Sequence, residues 1–348
     1  MDDKRIRVLI VDDSAFARKV LRQALSSNRA IEVVGIAGDG LEAIERIAEL
    51  DPDVVTLDLV MPYLDGIGVL RQLEESKSRA RVVVITTSDE ESEIAVQALQ
   101  LGAVTLVRKP TALATDRLYE LSADVARAVI EAAAATRMSY APKGITSGSE
   151  RPSVAPGTGG ATKMVVVGTS TGGPHALTRL LTDLPADLPI AMAIALHIPA
   201  DYTEALARRL DSVSKMEVLE ARDGLEIVPG RVVLAKGGMH LGFVRRGEKI
   251  LARVSSTPED ALYRPSVDEL FRSAAQIYGA SALGVVLTGM GEDGLVGAKA
   301  LIEAGGRVIN EAERSCVVYG MPRAVREAGL SSGEARIEEM ADEVVRKL

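Results

Sequence analysis

One cysteine, Cys316, is all that 348 residues contain. A single thiol rules out an internal disulfide and any zinc site built from cysteines. Histidine is nearly as scarce: His175, His197 and His240 are the whole supply, and no H-E-x-x-H run places two of them one helical turn apart. A zinc hydrolase is therefore disfavoured. No uninterrupted apolar run reaches the length of a membrane span. Met1–Arg5 leads directly into a strand-like segment and lacks the features of a signal peptide. Excess positive charge is missing too: 41 basic residues face 49 acidic ones, a formal charge of −8. That balance, with no helix-turn-helix signal, argues against a nucleic-acid or anionic-membrane target. A cytoplasmic protein with no direct membrane insertion is expected. The length exceeds what one core ordinarily organises, so two domains are expected.

What is present begins with an alternation. Ile6–Val11, Ile31–Ala37, Val54–Asp58, Val82–Thr86 and Val104–Arg108 read as buried strands. Helical periodicity falls between them, near Ala15–Leu25, Leu41–Leu50, Ile67–Leu73 and Ser92–Leu101, with a last helix from Leu113. Strand and helix in strict turn predict a parallel sheet covered on both faces. In such sheets functional groups gather at the carboxyl ends of the strands. Asp12 and Asp13 follow the first strand, Asp58 ends the third, Thr86 the fourth, and Lys109-Pro110 follows the fifth. Carboxylates converging on one rim repel each other unless a cation sits among them, and Mg²⁺ is the oxygen-seeking candidate. Asp58 could then accept a phosphoryl group, with Lys109 and the Thr86 hydroxyl meeting its oxygens. Taken singly, Asp12 or Asp13 could equally cap the first helix, and Lys109 could be a solvated loop residue.

Val11-Asp12-Asp13-Ser14, Asp58-x-x-Met61-Pro62-x-x-Asp65-Gly66 and Lys109-Pro110 resemble the receiver domain of bacterial two-component response regulators. The resemblance implies a flavodoxin-like fold, phosphorylation of Asp58 by a partner histidine kinase, and Mg²⁺ held by Asp12, Asp13 and Asp58. It also implies a switch through Thr86 and Lys109, and a Lys109-Pro110 bond prone to isomerise. Leu106 stands where many receivers carry an aromatic, so a tyrosine-type rotamer switch is not expected. Beyond it, residues 139–162 turn rich in Pro, Gly and Ser with few apolar side chains. That composition reads as a flexible tether. The expected organisation is a receiver at 1–138, a linker at 139–162 and an output domain at 163–348.

The output domain opens on Val165-Val166-Val167-Gly168-Thr169-Ser170-Thr171-Gly172-Gly173-Pro174. A buried strand runs into a tight turn, and Pro174 starts a helix where proline is best tolerated. Ser170 would stand exposed at the strand end, facing backbone N–H groups of the helix start. Gly168-x-Ser170-x-Gly172 fits a nucleophile elbow, though a glycine-rich turn could also cradle phosphate. Ile190–Leu196 reads as a strand ending in His197. Val232–Ala235, Leu241–Val244 and Ile250–Val254 read as short antiparallel strands. Ser266 with Glu269 forms a capping box, which makes Ser266 a helix cap and not a nucleophile. Leu283–Leu287 is a further strand, followed by a glycine-rich loop carrying Asp293. Ser170, His197 and Asp293 thus fall at the carboxyl ends of strands of one sheet, the set that acyl transfer requires. The α/β-hydrolase chain order would instead make His240 the base.

Gly168-Thr169-Ser170-Thr171-Gly172-Gly173, His197-Ile198-Pro199, Arg264-Pro265-Ser266-Val267-Asp268, Leu287–Gly294 and Gly320-Met321-Pro322 are similar to the chemotaxis response regulators that act as protein-glutamate methylesterase/glutaminase. The resemblance implies a Rossmann-like α/β domain with Ser170, His197 and Asp293 as triad. It places Thr171 near the substrate and the Met290 N–H in the oxyanion hole. It further implies hydrolysis of γ-glutamyl methyl esters on chemoreceptor cytoplasmic helices without a cofactor for the ester chemistry, and in many members deamidation of receptor glutamines. The competing reading is a phosphorylation-dependent binding protein whose esterase-like domain is inactive. Thr169 where alanine is frequent, and Ala312–Cys316 in place of a run richer in Gln and Asp, depart from many relatives.

Overall fold

The structure, a computed structural model, describes residues 5–86, 92–109, 115–135 and 162–348, with only the backbone described over 115–122. Its contacts divide the chain into two units, Met1–Arg137 and Met138–Leu348. The first alternates β1 (Ile6–Val11), α1 (Ala15–Ser26), β2 (Ile31–Ala37), α2 (Gly40–Leu50), β3 (Val54–Asp58), α3 (Gly66–Glu75), β4 (Arg81–Thr86), α4 (Ser92–Gln100), β5 (Thr105–Arg108) and α5 (Thr115–Ala134). Its strands form one sheet in the order β2-β1-β3-β4-β5, with parallel pairing throughout. The central strands are apolar on both faces because helices cover both sides, as in Val8–Val11, Val54-Val55 and Val82–Ile85. Helix starts follow from local chemistry: Ser14, Asp39 and Asp65 each accept a first-turn N–H at the N-caps of α1, α2 and α3. Asp12 and Asp13 are therefore not the caps of the first helix. Lys109-Pro110 falls partly outside the described residues.

The second unit comprises β6 (Met164–Thr169), α6 (Gly173–Asp183), β7 (Ala191–Leu196), α7 (Thr203–Val213), β8 (Glu217–Glu220), β9 (Arg231–Leu234), β10 (His240–Arg246), β11 (Lys249–Ser255), α8 (Val267–Tyr278), β12 (Ala282–Val286), α9 (Leu295–Glu303), β13 (Arg307–Glu311), α10 (Met321–Glu327), β14 (Glu334–Ala335) and α11 (Ile337–Arg346). Its main sheet runs β14-β13-β12-β6-β7-β9-β8, again with parallel pairing. Among the described strands β10 and β11 pair antiparallel, as a separate hairpin. The expectation of antiparallel strands thus holds for that pair and fails for Val232–Ala235. This segment lies flat in the parallel sheet as β9, because Val232, Val233 and Leu234 are buried on both faces and need cover on both sides. Most of the expected tether lies outside the described residues. Its last residue, Thr162, is buried and bonded through its N–H and hydroxyl to the carbonyls of Leu348 and Lys347.

Close approach of α8 to the sheet is what places the chemistry. Gly168 in β6 lies against Val267 at the start of α8, and a Cβ added there would sit 2.1 Å from Val267 Cγ1. Val267 is fully buried and β-branched, so it has no rotamer into which to retreat. Gly168→Ala is expected to destabilise the second unit by about 1–3 kcal/mol, the usual cost of overpacking. A thermal melt checks this, and an unchanged transition would show that α8 can slide away freely.

Candidate active site

Adjacent parallel strands bring Ser170 and His197 side by side. Thr169 and Leu196 are register partners in β6 and β7, and each candidate residue is the next one along its strand. The His197 N–H reaches the Thr169 carbonyl at 3.2 Å. On the other side of β6 the Ser170 N–H donates to the Thr288 carbonyl at 3.1 Å, which ties the elbow to the loop after β12. The turn itself needs Gly172, whose φ of +82° suits glycine and whose missing Cβ leaves room for Val317. Gly172 serves as N-cap residue of α6, so the helix begins at Gly173 and Pro174 is its second residue, one position later than expected. The Thr169 hydroxyl donates to the Thr288 carbonyl at 2.7 Å, so the residue that departs from alanine adds a second tie to that loop.

His197 and Asp293 meet directly, Nε2 to Oδ2 at 2.8 Å. Asp293 accepts three further bonds: from the Ser266 hydroxyl and the Asp268 N–H at 3.0 Å on Oδ1, and from the Val267 N–H at 2.7 Å on Oδ2. The carboxylate thus sits on the N-terminus of α8, where orphan donors and the helix dipole favour an anion. Burial pushes Asp293 up. The His197 N–H and charge, with the Asp268 and Val267 N–H groups, outweigh it and hold Asp293 below the usual carboxylate range. With Nε2–H committed to Asp293, the free lone pair of the ring is on Nδ1, which is buried and has no hydrogen-bond partner. Ser170 is half-buried, Thr171 is buried with its carbonyl held by the Thr288 hydroxyl, and Met290 is half-buried in the loop between Gly289 and Gly291.

His240 is not available as an alternative base. Its Nε2 bonds the Pro258 carbonyl and its Nδ1 accepts the Ser266 N–H, so both ring nitrogens hold structure in place. Ser266 is the N-cap of α8, with the Glu269 N–H on its hydroxyl, but the capping box is not closed. The Ser266 N–H goes to His240 Nδ1 and the Glu269 carboxylate pairs with Arg272, while the Ser266 hydroxyl also reaches Asp293. Two residues near the site escaped sequence reasoning. Tyr263 stacks on the His197 ring, and Glu311, at the end of β13, is 1% exposed and accepts the Thr288 N–H at 2.8 Å and the Ser315 hydroxyl at 2.9 Å. With only Val308-Ile309 apolar ahead of Asn310-Glu311, the sequence carried no clear signal for Glu311. Cys316 is buried, and burial pushes its thiol up.

In the first unit, oxygens of Asp12, Asp13 and Asp58 lie within 4.8 Å of one another. Lys109 Nζ stands 2.8 Å from Asp12 Oδ2 and 2.6 Å from Asp58 Oδ2, with little of any of these side chains exposed. Burial raises Asp58 to about 6, against the pull of Lys109 and with the help of the Asp12 charge. Thr86 is buried at the end of β4, and its carbonyl accepts the Lys109 N–H. The three carboxylates and the Lys109 ammonium are thus brought together at the strand ends.

The CheB methylesterase family profile matches residues 165–344, and the response regulator receiver domain profile matches residues 8–120. The chain is 58% identical over 335 residues to protein-glutamate methylesterase/protein-glutamine glutaminase 5 of Myxococcus xanthus, covering 96% of each. The chain belongs to the CheB methylesterase family. A Thermotoga maritima protein-glutamate methylesterase/protein-glutamine glutaminase is 38% identical over 94% of each chain. The crystal structure of the Thermotoga maritima CheB methylesterase catalytic domain superposes with a TM-score of 0.53 at 37% identity, over 54% of this chain and 100% of that one. As in that family, a receiver domain precedes the methylesterase domain. Among the described residues, no helix is long and apolar enough to cross a membrane.

Proposed function

We propose that this CheB-family chain is a cytoplasmic, phosphorylation-regulated serine hydrolase. It removes methyl groups from γ-glutamyl methyl esters on chemoreceptor cytoplasmic helices and deamidates receptor glutamines. The observation that carries the reading is the His197–Asp293 pair, buried against the α8 N-terminus and one strand from Ser170. His197 Nδ1 takes the proton of Ser170 Oγ as that oxygen attacks the ester carbonyl carbon. The Met290 N–H, with the Thr171 and Gly172 N–H groups of the turn, stabilises the negative oxygen; the Gly173 N–H is committed to the Ser170 carbonyl. The C–OCH₃ bond breaks, and His197 passes its proton to the departing methanol. Water then attacks the acyl-serine with His197 again as base, restoring Ser170 and leaving a glutamate carboxylate. With a glutamine substrate the leaving group is ammonia. The test is methanol release from a methylated receptor fragment, with full-length chain and with Ser170→Ala. The parent releases methanol and Ser170→Ala stays at background; equal release by both would overturn the assignment.

In the receiver, Asp58 takes the phosphoryl group from a chemotaxis histidine kinase, and Thr86 and Lys109 form the switch. An all-oxygen donor set of Asp12, Asp13 and Asp58 within 4.8 Å fits a hard divalent cation. Bound there, Mg²⁺ would neutralise the acidic rim so that a phosphoryl donor can approach. Lys109 supplies positive charge to the same carboxylates. Lys109→Ala is therefore expected to bind Mg²⁺ about tenfold more tightly than the parent, as one competing charge is removed. Calorimetric titration of the full chain reads this directly, and equal affinities would show that Lys109 and the cation do not compete.

A further inference from the structure

We propose that Tyr263 is a positioning residue that sets the plane of the His197 imidazole, an inference that rests on the esterase reading above. The two rings lie face to face, with centroids 4.1 Å apart and planes 9° from parallel. Histidine's outer torsion has no sharp staggered well, so neighbours must fix the ring plane. The bond from Nε2 to Asp293 anchors one edge and leaves the ring free to swing about that line. A stacked face removes the remaining freedom, and it holds Nδ1 where the proton of Ser170 must arrive.

The surroundings of Tyr263 point the same way. It is only half-buried and its neighbour Leu262 is 81% exposed, so core packing does not call for a ring here. A Cβ added to Gly291 would lie 3.6 Å from the Tyr263 hydroxyl, which sets the far end of the ring beside the loop carrying Met290. Three residues on, Ser266 begins the donor set that holds Asp293. One short segment, 263–268, therefore orients both the imidazole and its carboxylate.

The experiment compares full-length parent, Tyr263→Phe and Tyr263→Ala in methanol release from the methylated receptor fragment. It also records the low-field proton signal of His197 Nε2–H, identified by its loss in His197→Gln. Tyr263→Phe keeps kcat within about threefold, while Tyr263→Ala lowers kcat about 10- to 50-fold with KM changed less than about twofold. The Nε2–H signal persists in Tyr263→Phe and is broadened by exchange in Tyr263→Ala. Tyr263→Leu, which keeps apolar bulk without a ring face, follows Tyr263→Ala and replaces it should that variant melt early. Parent-like kcat, or an unchanged Nε2–H signal, in the variants without a ring overturns the proposal, as does a Tyr263→Phe defect equal to that of Tyr263→Ala. If the parent releases no more methanol than Ser170→Ala, the esterase reading fails, and the proton signal still decides whether Tyr263 orients the ring.

Discussion

Asp293→Asn should lower kcat for methanol release by about 10³–10⁴ while leaving the fold intact, and the reason is the tautomer of His197. Asp293 accepts on both oxygens: Oδ1 takes the Ser266 hydroxyl and the Asp268 N–H, and Oδ2 takes the Val267 N–H and His197 Nε2. A carboxylate can accept all of these, whereas an amide offers one oxygen and one NH₂. Two backbone donors and a hydroxyl compete for that oxygen, and the Val267 and Asp268 N–H groups cannot turn away. If the NH₂ faces His197, Nε2 must present its lone pair and the ring proton moves to Nδ1. Nδ1 is then a donor and cannot take the proton of Ser170. If instead the oxygen faces His197, the NH₂ confronts the Asp268 N–H at the α8 start. Asn also removes the negative charge that steadies the imidazolium in the transition state. Single-turnover kinetics against the methylated receptor fragment read the loss, with KM little changed. A reduction below tenfold would mean that Asp293 merely caps α8. Combining Asp293→Asn with Ser170→Ala should cost no more than Ser170→Ala alone, because the residues act as a unit.

Much of this was legible in the chain, for reasons that differ by region. In the receiver the strands are short runs rich in β-branched residues, closed by Asp12 after β1, Gly38 after β2 and Asp58 at the end of β3. The expected bounds at Ile6–Val11, Ile31–Ala37 and Val54–Asp58 therefore coincide with β1, β2 and β3. Asp12, Asp58 and Lys109 could be placed together because a parallel sheet puts all its strand ends on one rim. The same logic placed Ser170, His197 and Asp293 at the ends of neighbouring strands. It was blind where hydrophobic patterning is ambiguous. No helix stands between β8 and Arg231–Leu234 to signal a crossover, so the parallel pairing of this strand to β7 and β8 followed only from the finished sheet. β13 is Arg307-Val308-Ile309-Asn310-Glu311, and its polar last residues hid both the strand and the buried acid. Tyr263 lies far from His197 in sequence, and its contact is made by the path of the chain ahead of α8 and not by any local pattern.

That buried acid leads to the second large effect: Glu311→Gln should make the methylesterase unit markedly more stable at pH 8 while changing little at pH 5. Burial raises Glu311 to about 7 from an ordinary 4.5; the bonds from Thr288 and Ser315 resist the rise and the Glu338 charge adds to it. A carboxyl with a raised folded-state pKa holds its proton more tightly in the folded chain. Between about 4.5 and 7 the native state therefore binds more protons than the unfolded one. Stability falls as pH rises through that window and levels off above it, by up to about 3 kcal/mol for a shift of this size. The site accommodates the neutral acid well. A protonated Glu311 can donate to Ser315 Oγ, whose own hydrogen has the Ala312 carbonyl as acceptor at 3.2 Å, while the Thr288 N–H keeps its carboxyl partner. Glutamine reproduces that pattern, with the amide oxygen on Thr288 and the NH₂ on Ser315, and carries no charge to bury. Its stability should show none of this slope between pH 5 and 7.5, and calorimetry on the full chain at both pH values measures it. Glu311→Ala separates this from a packing effect. It strands the Thr288 N–H at both pH values and loosens the carbonyl that receives the Ser170 N–H, so both melting temperature and kcat should fall. If Glu311→Gln instead followed the parent's pH profile, Glu311 would be charged in the fold across the range, and the 287–288 peptide would be facing a buried anion.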